Sequence, residues 1–167
     1  MRPLQNEIEV RRIGVEDWSL WLKLRLQALA EAPYAFCSKL ADWQGAGDTE
    51  DRWRGRLSDV PLNLVAEWRQ VPAGMASGTA LNPNGSVELI SMSVAPFARG
   101  RGVGDALVTA VIDWSREQRA STVVLGVLER NQRAVTFYRR HGFVPDGDSA
   151  EPANEHRMVR DLSLGVR

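Results

Sequence analysis

Cysteine is nearly absent from this chain of 167 residues: Cys37 is the only one, so no disulfide can close within the chain and no cysteine-based metal cluster can form. That usage suits a reducing compartment, and a cytoplasmic protein that needs no structural metal is expected. Histidine is almost as scarce, with only His141 and His156. Lysine is limited to Lys23 and Lys39, so nearly all the basic charge is arginine. Long hydrophobic runs are also missing: no stretch approaches the roughly 18 apolar residues of a membrane span. The opening Met1-Arg2-Pro3-Leu4-Gln5-Asn6-Glu7 lacks the apolar centre of a secretory signal. Net charge is zero, because 21 Lys plus Arg balance 21 Asp plus Glu. No global field therefore draws the chain to nucleic acid or to anionic lipid, and neither is expected as a partner.

What is present is average: 44% hydrophobic and 25% charged residues, the composition of a soluble globular domain. One domain is expected, long enough to bury roughly two thirds of the surface that the unfolded chain exposes. There is no internal repeat and no low-complexity run.

Periodicity sketches the elements. Ile8 to Ile13 alternates and predicts a strand. Trp18, Trp21, Leu22, Leu26 and Leu29 recur at helical steps in a core stripe that ends before Pro33. An aromatic loop follows, Ala32-Pro33-Tyr34-Ala35-Phe36-Cys37, and then a helix from about Thr49 to Leu57. Leu62 to Trp68 and Met75 to Leu81 read as strands with a turn over Gln70 to Gly74. Asn82-Pro83-Asn84-Gly85 is a strong turn signal, since Pro83 presets one dihedral and Asn84-Gly85 tolerate positive φ. Beyond it come a strand to Val94, a helix from Val103 to Gln118, a strand from Thr122 to Leu128 and a helix from Asn131 to Arg140. A strand near Phe143, a hairpin-like loop over Pro145 to Asn154 and a strand from His156 to Leu162 complete the chain. Antiparallel strands first and a strand-helix-strand unit later predict an α/β fold with a mixed, mostly antiparallel twisted sheet flanked by helices.

The most informative segment is Met92-Ser93-Val94-Ala95-Pro96-Phe97-Ala98-Arg99-Gly100-Arg101-Gly102-Val103-Gly104-Asp105, a strand that passes through a glycine-rich turn into a helix. The first N–H groups of that helix lack internal partners and can donate to a phosphate, with Arg99 and Arg101 adding charge. Two other glycine loops fail on spelling. A Walker loop needs Lys-Ser/Thr where the chain has Asp105-Ala106, and a dinucleotide fingerprint needs Gly at 105, or Gly or Ala at 107, where it has Asp105 and Leu107.

Arg99-Gly100-Arg101-Gly102-Val103-Gly104 resembles the Arg/Gln-x-x-Gly-x-Gly/Ala hallmark of the Gcn5-related N-acetyltransferase (GNAT) superfamily. Asn131-Gln132-Arg133-Ala134-Val135-Thr136-Phe137-Tyr138, followed by Gly142-Phe143, resembles its second signature about 30 residues on. The resemblance implies a single N-acetyltransferase domain over residues 1–167, with the GNAT-like acyl-CoA N-acyltransferase fold. It also implies acetyl-CoA as cosubstrate and direct attack of a primary amine on the thioester, with no metal.

What the resemblance implies can be placed residue by residue. The pyrophosphate goes to the turn Arg99, Gly100, Arg101, Gly102, Val103, Gly104 and Asp105. The pantetheine amides pair with the backbone of Met92, Ser93 and Val94 as an added strand, beside Asn131 and Ala134. A backbone N–H near Met92 polarises the thioester carbonyl, and Tyr138 serves the leaving thiolate. Glu88 stands where several family members keep a general base; strand alternation would put it on one face with Ile90, Met92 and Val94. Tyr34, Phe36 and Arg25 are candidates for the acceptor side, alongside a bland reading as packing residues. Glu88 has its own bland reading as a solvated carboxylate, His141 as a turn residue and Cys37 as a buried thiol.

The acceptor is open between a small-molecule amine and a protein amine, and acidic Glu31, Asp42, Asp48, Glu50 and Asp51 would suit a polycation if they converged. Two other functions compete: a non-catalytic CoA-binding or sensory module, and transfer of a longer acyl group. An exposed edge around Val159 to Leu164 would allow the homodimers common in the family.

Overall fold

A computed structural model describes residues 7–31, 49–128, 130–146 and 155–163. Tyr34, Phe36, Cys37, Asp42 and Asp48 lie outside the described residues. In chain order the elements are β1 (Ile8–Arg12), α1 (Trp18–Glu31), α2 (Glu50–Asp59), β2 (Leu62–Trp68), β3 (Val71–Gly78), β4 (Ser86–Val94), α3 (Val103–Glu117), β5 (Thr122–Leu128), α4 (Gln132–Arg140), β6 (Val144–Pro145) and β7 (Glu155–Asp161). Among the described residues they build one sheet of seven strands in the order β1-β2-β3-β4-β5-β7-β6. Every neighbouring pair is antiparallel except β4 and β5, which α3 joins as a parallel crossover. This is the mixed, mostly antiparallel sheet that the sequence pattern predicts.

The helices cover both faces. Leu107, Val108, Val111 and Ile112 of α3 pack on Leu62, Leu64, Ala76, Val87 and Leu89 of the sheet, with Tyr138 and Phe143 in the same core. The opposite face buries Trp21, Leu24, Trp53 and Leu57 of α1 and α2 against Val65 and Met75. Among the described residues no helix is long and apolar enough to cross a membrane.

Three local expectations change. First, β3 begins at Val71 instead of Met75, because Arg69 and Gln70 both adopt positive φ (51° and 68°) and close a two-residue hairpin in which Trp68 pairs with Val71. Nothing in Arg-Gln advertises that turn, which Asn-Gly usually fills; Arg69 is tied instead by its N–H to Glu7 O (2.8 Å) and its guanidinium to the Glu7 carboxylate (3.0 Å). Second, α1 buries Trp21, Leu24, Arg25, Ala28 and Leu29, while Trp18, Leu22 and Leu26 are half-buried. The helix is apolar on most of its circumference, so spacing alone could not select the buried side. Third, Val159 is no edge: it pairs with Val124 on one side and Val144 on the other. The short β6 is the strand that ends the sheet there. The Asn82 turn forms as expected, with Asn82 Oδ1 accepting from the N–H groups of Asn84 (3.0 Å) and Ser86 (2.9 Å). Pro145 and Met158 likewise pair across the loop expected to be hairpin-like.

Two irregularities of β4 shape the site. Met75 pairs with Ser93 but Ser77 pairs with Ile90, so β4 carries one extra residue against β3, and Ser91 within it has φ 55°. A bulge of this kind bends its strand and reverses the alternation beyond it. In addition, β4 pairs with β5 only from Ser86 to Glu88, opposite Thr122 to Val124, after which the strands part.

Candidate active site

The parting of β4 and β5 opens a cavity of about 490 Å³. Its walls are Met92, Ser93 and Val94 of β4, Gly126 and Val127 of β5, the turn through Arg99, Gly100 and Gly102, Val103 to Asp105 of α3, and Asn131, Arg133, Ala134, Phe137, Tyr138 and Arg140. Among the described residues the β5-facing side of β4 has no strand partner from Leu89 onward, so the main chain of Met92 to Val94 is open to a ligand that lies along it as a strand would.

The glycines of the turn do two different jobs. Gly100 and Gly102 have φ of 74° and 89°, the left-handed region that L side chains avoid, and Gly102 is the N-cap of α3. Gly104 is ordinary helix, but a Cβ there would stand 3.1 Å from Phe137 Cζ, so its hydrogen lets α4 and the cavity approach α3. Ala106 N–H closes the first helical bond onto Gly102 O (3.1 Å), which leaves the N–H groups of Val103, Gly104 and Asp105 without acceptors inside the helix. Together with the helix dipole they can hold an anion at one end of the cavity.

Charged side chains frame that end. Arg99 lines the cavity and donates from Nε to Val94 O (3.3 Å). Arg101 turns away: its guanidinium lies 5.1 Å from the centre of the Trp68 ring, which also carries Arg69 at 4.7 Å, so the contribution of Arg101 to the anion site is its main chain. Asp105 would repel an anion, yet its carboxylate is bound by Arg140 Nη2 at 2.9 Å and His141 Nε2 at 2.7 Å. His141 is thus the C-cap of α4 and a tie to α3 as well as a turn residue.

Tyr138 lies inside the cavity wall, buried between Phe137 (ring centres 5.3 Å apart) and Phe143 (5.8 Å). Burial pushes its phenol above the usual tyrosine range, because the phenolate would be poorly solvated there. Among the described residues nothing hydrogen-bonds its hydroxyl. Asn131 caps α4, its Oδ1 accepting from Ala134 N–H at 3.2 Å. Asn131→Ala should cost about 1 kcal/mol, read as a fall in melting temperature of roughly 2–4 °C. A larger loss of acetyl-CoA affinity than of stability would show that the same amide also touches the ligand.

The sequence candidates divide. Met92, Ser93, Val94, Arg99, Gly100, Gly102, Val103, Gly104, Asp105, Asn131, Ala134 and Tyr138 come together around one cavity. Glu88 does not share a face with Met92 and Val94, because the bulge at Ser91 intervenes. Met92 and Val94 pack on the α3 core with Val87 and Leu89, which puts Glu88 on the α2 side of β4. Arg25 is buried on α1 and is absent from the cavity wall; its charge acts on Arg56 of α2. Of the acidic residues, Glu50 is paired with Arg54 at 2.8 Å on the surface of α2, whereas Glu31 lines the cavity.

Sequence reasoning missed Arg133, Arg140 and Arg56, and named Phe137 only as a core partner and as a limit on the width of the pocket. Phe137, Arg133 and Arg140 sit within or beside the second motif, where helical spacing from Asn131 and Tyr138 could have placed them. Arg56 carries no motif signal at all.

Residues 25–143 match the acetyltransferase (GNAT) family. The chain is 27% identical over 134 residues to a mycothiol acetyltransferase of Renibacterium salmoninarum, covering 77% of this chain and 38% of that protein. It is 33% identical over 107 residues to a streptothricin acetyltransferase of Streptomyces lavendulae, covering 64% and 57% respectively. It therefore spans well under two thirds of either relative. The PaiA N-acetyltransferase of Thermoplasma acidophilum, solved with coenzyme A, has the same fold: TM-score 0.75 over 92% of this chain and 98% of that one, at 15% identity. With both motifs around one cavity and most of the chain matched, this protein belongs to the GNAT family of acetyltransferases.

Proposed function

We propose that this chain is an N-acetyltransferase that moves the acetyl group of acetyl-CoA to a primary amine by direct attack in a ternary complex. The observation that carries the reading is the parted pair β4 and β5, with an anion-binding helix start at one end and the Tyr138 phenol in the wall. The residues present fit acetyl-CoA: open N–H groups for the pyrophosphate, an unpaired strand edge for the pantetheine amides, and a glycine where a Cβ would crowd the passage. Arg99 and Arg133 supply cationic charge at the wall, where Arg140 is paired with Asp105. The names of the two relatives support a small-molecule acceptor over a protein amine.

Acetyl-CoA supplies the activated thioester. The chain then has two protons to manage. A primary amine with a pKa near 10.4 must lose a proton before it can attack. Glu88, on the α2 side of β4, takes that proton directly or through water. The Met92 N–H polarises the carbonyl as charge develops on its oxygen. Tyr138 donates a hydrogen bond to the departing sulfur.

The test is calorimetric titration with acetyl-CoA beside a thiol-release assay over a panel of amines. Micromolar binding and amine-dependent release are expected. In Glu88→Gln the rate should fall about 10²-fold near pH 7. The deficit should narrow as pH rises toward 10, where amines deprotonate unaided. Binding without release for any amine would return a non-catalytic CoA-binding module; no binding would overturn the assignment of Arg99 to Gly104.

A further inference from the structure

Arg56 of α2 joins three adjacent strands. Its Nη1 donates to Asn63 Oδ1 on β2 at 3.0 Å, and its Nη2 donates to Ser77 Oγ on β3 at 3.2 Å and to Ser91 Oγ on β4 at 3.0 Å. The guanidinium lies 5.2 Å from the centre of the buried Trp21 ring. Ser77 Oγ donates in turn to Asn63 Oδ1 (2.8 Å), and Asn63 Nδ2 donates to Leu57 O (3.2 Å) and Val60 O (2.9 Å), so the network closes on the end of α2. Burial and the nearby charge of Arg25 bring the Arg56 pKa down to about 10, which leaves the group charged at neutral pH. Among the described residues its hydrogen-bond partners are all neutral.

A half-buried cation whose direct partners are three neutral acceptors is a costly way to tie strands that backbone bonds already tie. Ser91 is the acceptor that gives it a purpose. It lies within the bulge, at φ 55°, and its peptide unit carries the N–H of Met92. If Ser91 relaxed to negative φ, that N–H would rotate, and Met92 and Val94 would turn relative to the cavity that they line. Arg56 is absent from the cavity wall, so whatever it does there it does through Ser91.

We propose that Arg56 is a positioning residue: by holding Ser91 Oγ it fixes the bulge of β4, and so the direction of the Met92 N–H that polarises the thioester carbonyl. The inference rests on the acetyltransferase reading above.

The experiment needs no acceptor. Acetyl-CoA labelled with a heavy isotope at the carbonyl carbon is bound to the native chain, to Arg56→Met and to Ser91→Ala, and the carbonyl stretch is recorded by difference infrared spectroscopy. The native complex should show the band at lower frequency than free acetyl-CoA, and both variants should return it toward the free position. Their dissociation constants should stay within about threefold of native, because the pyrophosphate contacts are untouched. A shifted band that survives in both variants would overturn the role of Arg56 while leaving the acetyltransferase reading intact. A native complex with an unshifted band would overturn carbonyl polarisation by Met92 and this inference with it. Loss of binding in both variants would make Arg56 a structural residue only, and overturn the proposal.

Discussion

Tyr138→Phe is expected to lower the turnover number for acetyl transfer about 10²- to 10³-fold while leaving the dissociation constant of acetyl-CoA within about twofold. The substitution keeps the ring that packs between Phe137 and Phe143 and removes only the hydroxyl, so stability should hold. The size of the loss follows from the state of the phenol. Burial raises its pKa, so the phenol keeps its proton at neutral pH and can donate a hydrogen bond to the leaving sulfur. A thiol like that of cysteine has a pKa near 8.5, so complete transfer of the phenolic proton to the leaving sulfur would run uphill by more than about 2 kcal/mol. In the proposed mechanism Tyr138 would act by holding charge on sulfur with a hydrogen bond, and the proton that finally neutralises it would come from the amine. Two consequences can be measured together. The native pH–rate profile should show no falling limb from Tyr138 below about pH 10, and the phenylalanine variant should lose rate by the same factor across the profile. Full activity in the variant would remove Tyr138 from the mechanism.

The sequence was most legible where chemistry forces residue type. Gly100 and Gly102 can be read because the positive φ of a tight turn excludes most other residues, and Asn131 because an N-cap selects a short polar side chain. The apolar spacing of α3 identified its buried face, since only one side of that helix is apolar. Legibility failed where the fold departs from local rules. Arg69-Gln70 make a hairpin turn that an ion pair to Glu7 stabilises from outside the turn. The bulge at Ser91 was invisible because serine is ordinary in strands and its partner Arg56 lies 35 residues away. That one unseen residue reversed the alternation on which the grouping of Glu88 with Met92 depended. Arg25 and Arg56 were illegible for a related reason: Arg25 sits in a helix that is apolar on most sides and Arg56 in a polar one, and in neither does spacing reveal which neighbour encloses the guanidinium.

Gly102→Val should weaken acetyl-CoA binding more than any other single change in the turn. At φ 89° the backbone of residue 102 occupies the left-handed region, which costs an L residue roughly 1–2 kcal/mol and a β-branched one more. Space is not the obstacle, because a Cβ there meets Ile8 Cδ1 at 3.4 Å, an ordinary contact. The chain would relieve the strain by turning residue 102 toward negative φ, and that moves the first turn of α3 with it. The N–H groups of Val103, Gly104 and Asp105 would then leave the anion site. Charge-assisted hydrogen bonds contribute about 1.5–3 kcal/mol each, so losing two should raise the dissociation constant about 10²- to 10⁴-fold. Pantetheine, which lacks the pyrophosphate, supplies the control: its weaker binding along β4 should be nearly unchanged. Gly104→Ala should behave differently, since its methyl presses on the Phe137 ring while the helix start stays in place, so pantetheine and acetyl-CoA should weaken by similar factors. If Gly102→Val weakens both ligands equally, the turn shapes the whole cavity and is not a dedicated phosphate cradle.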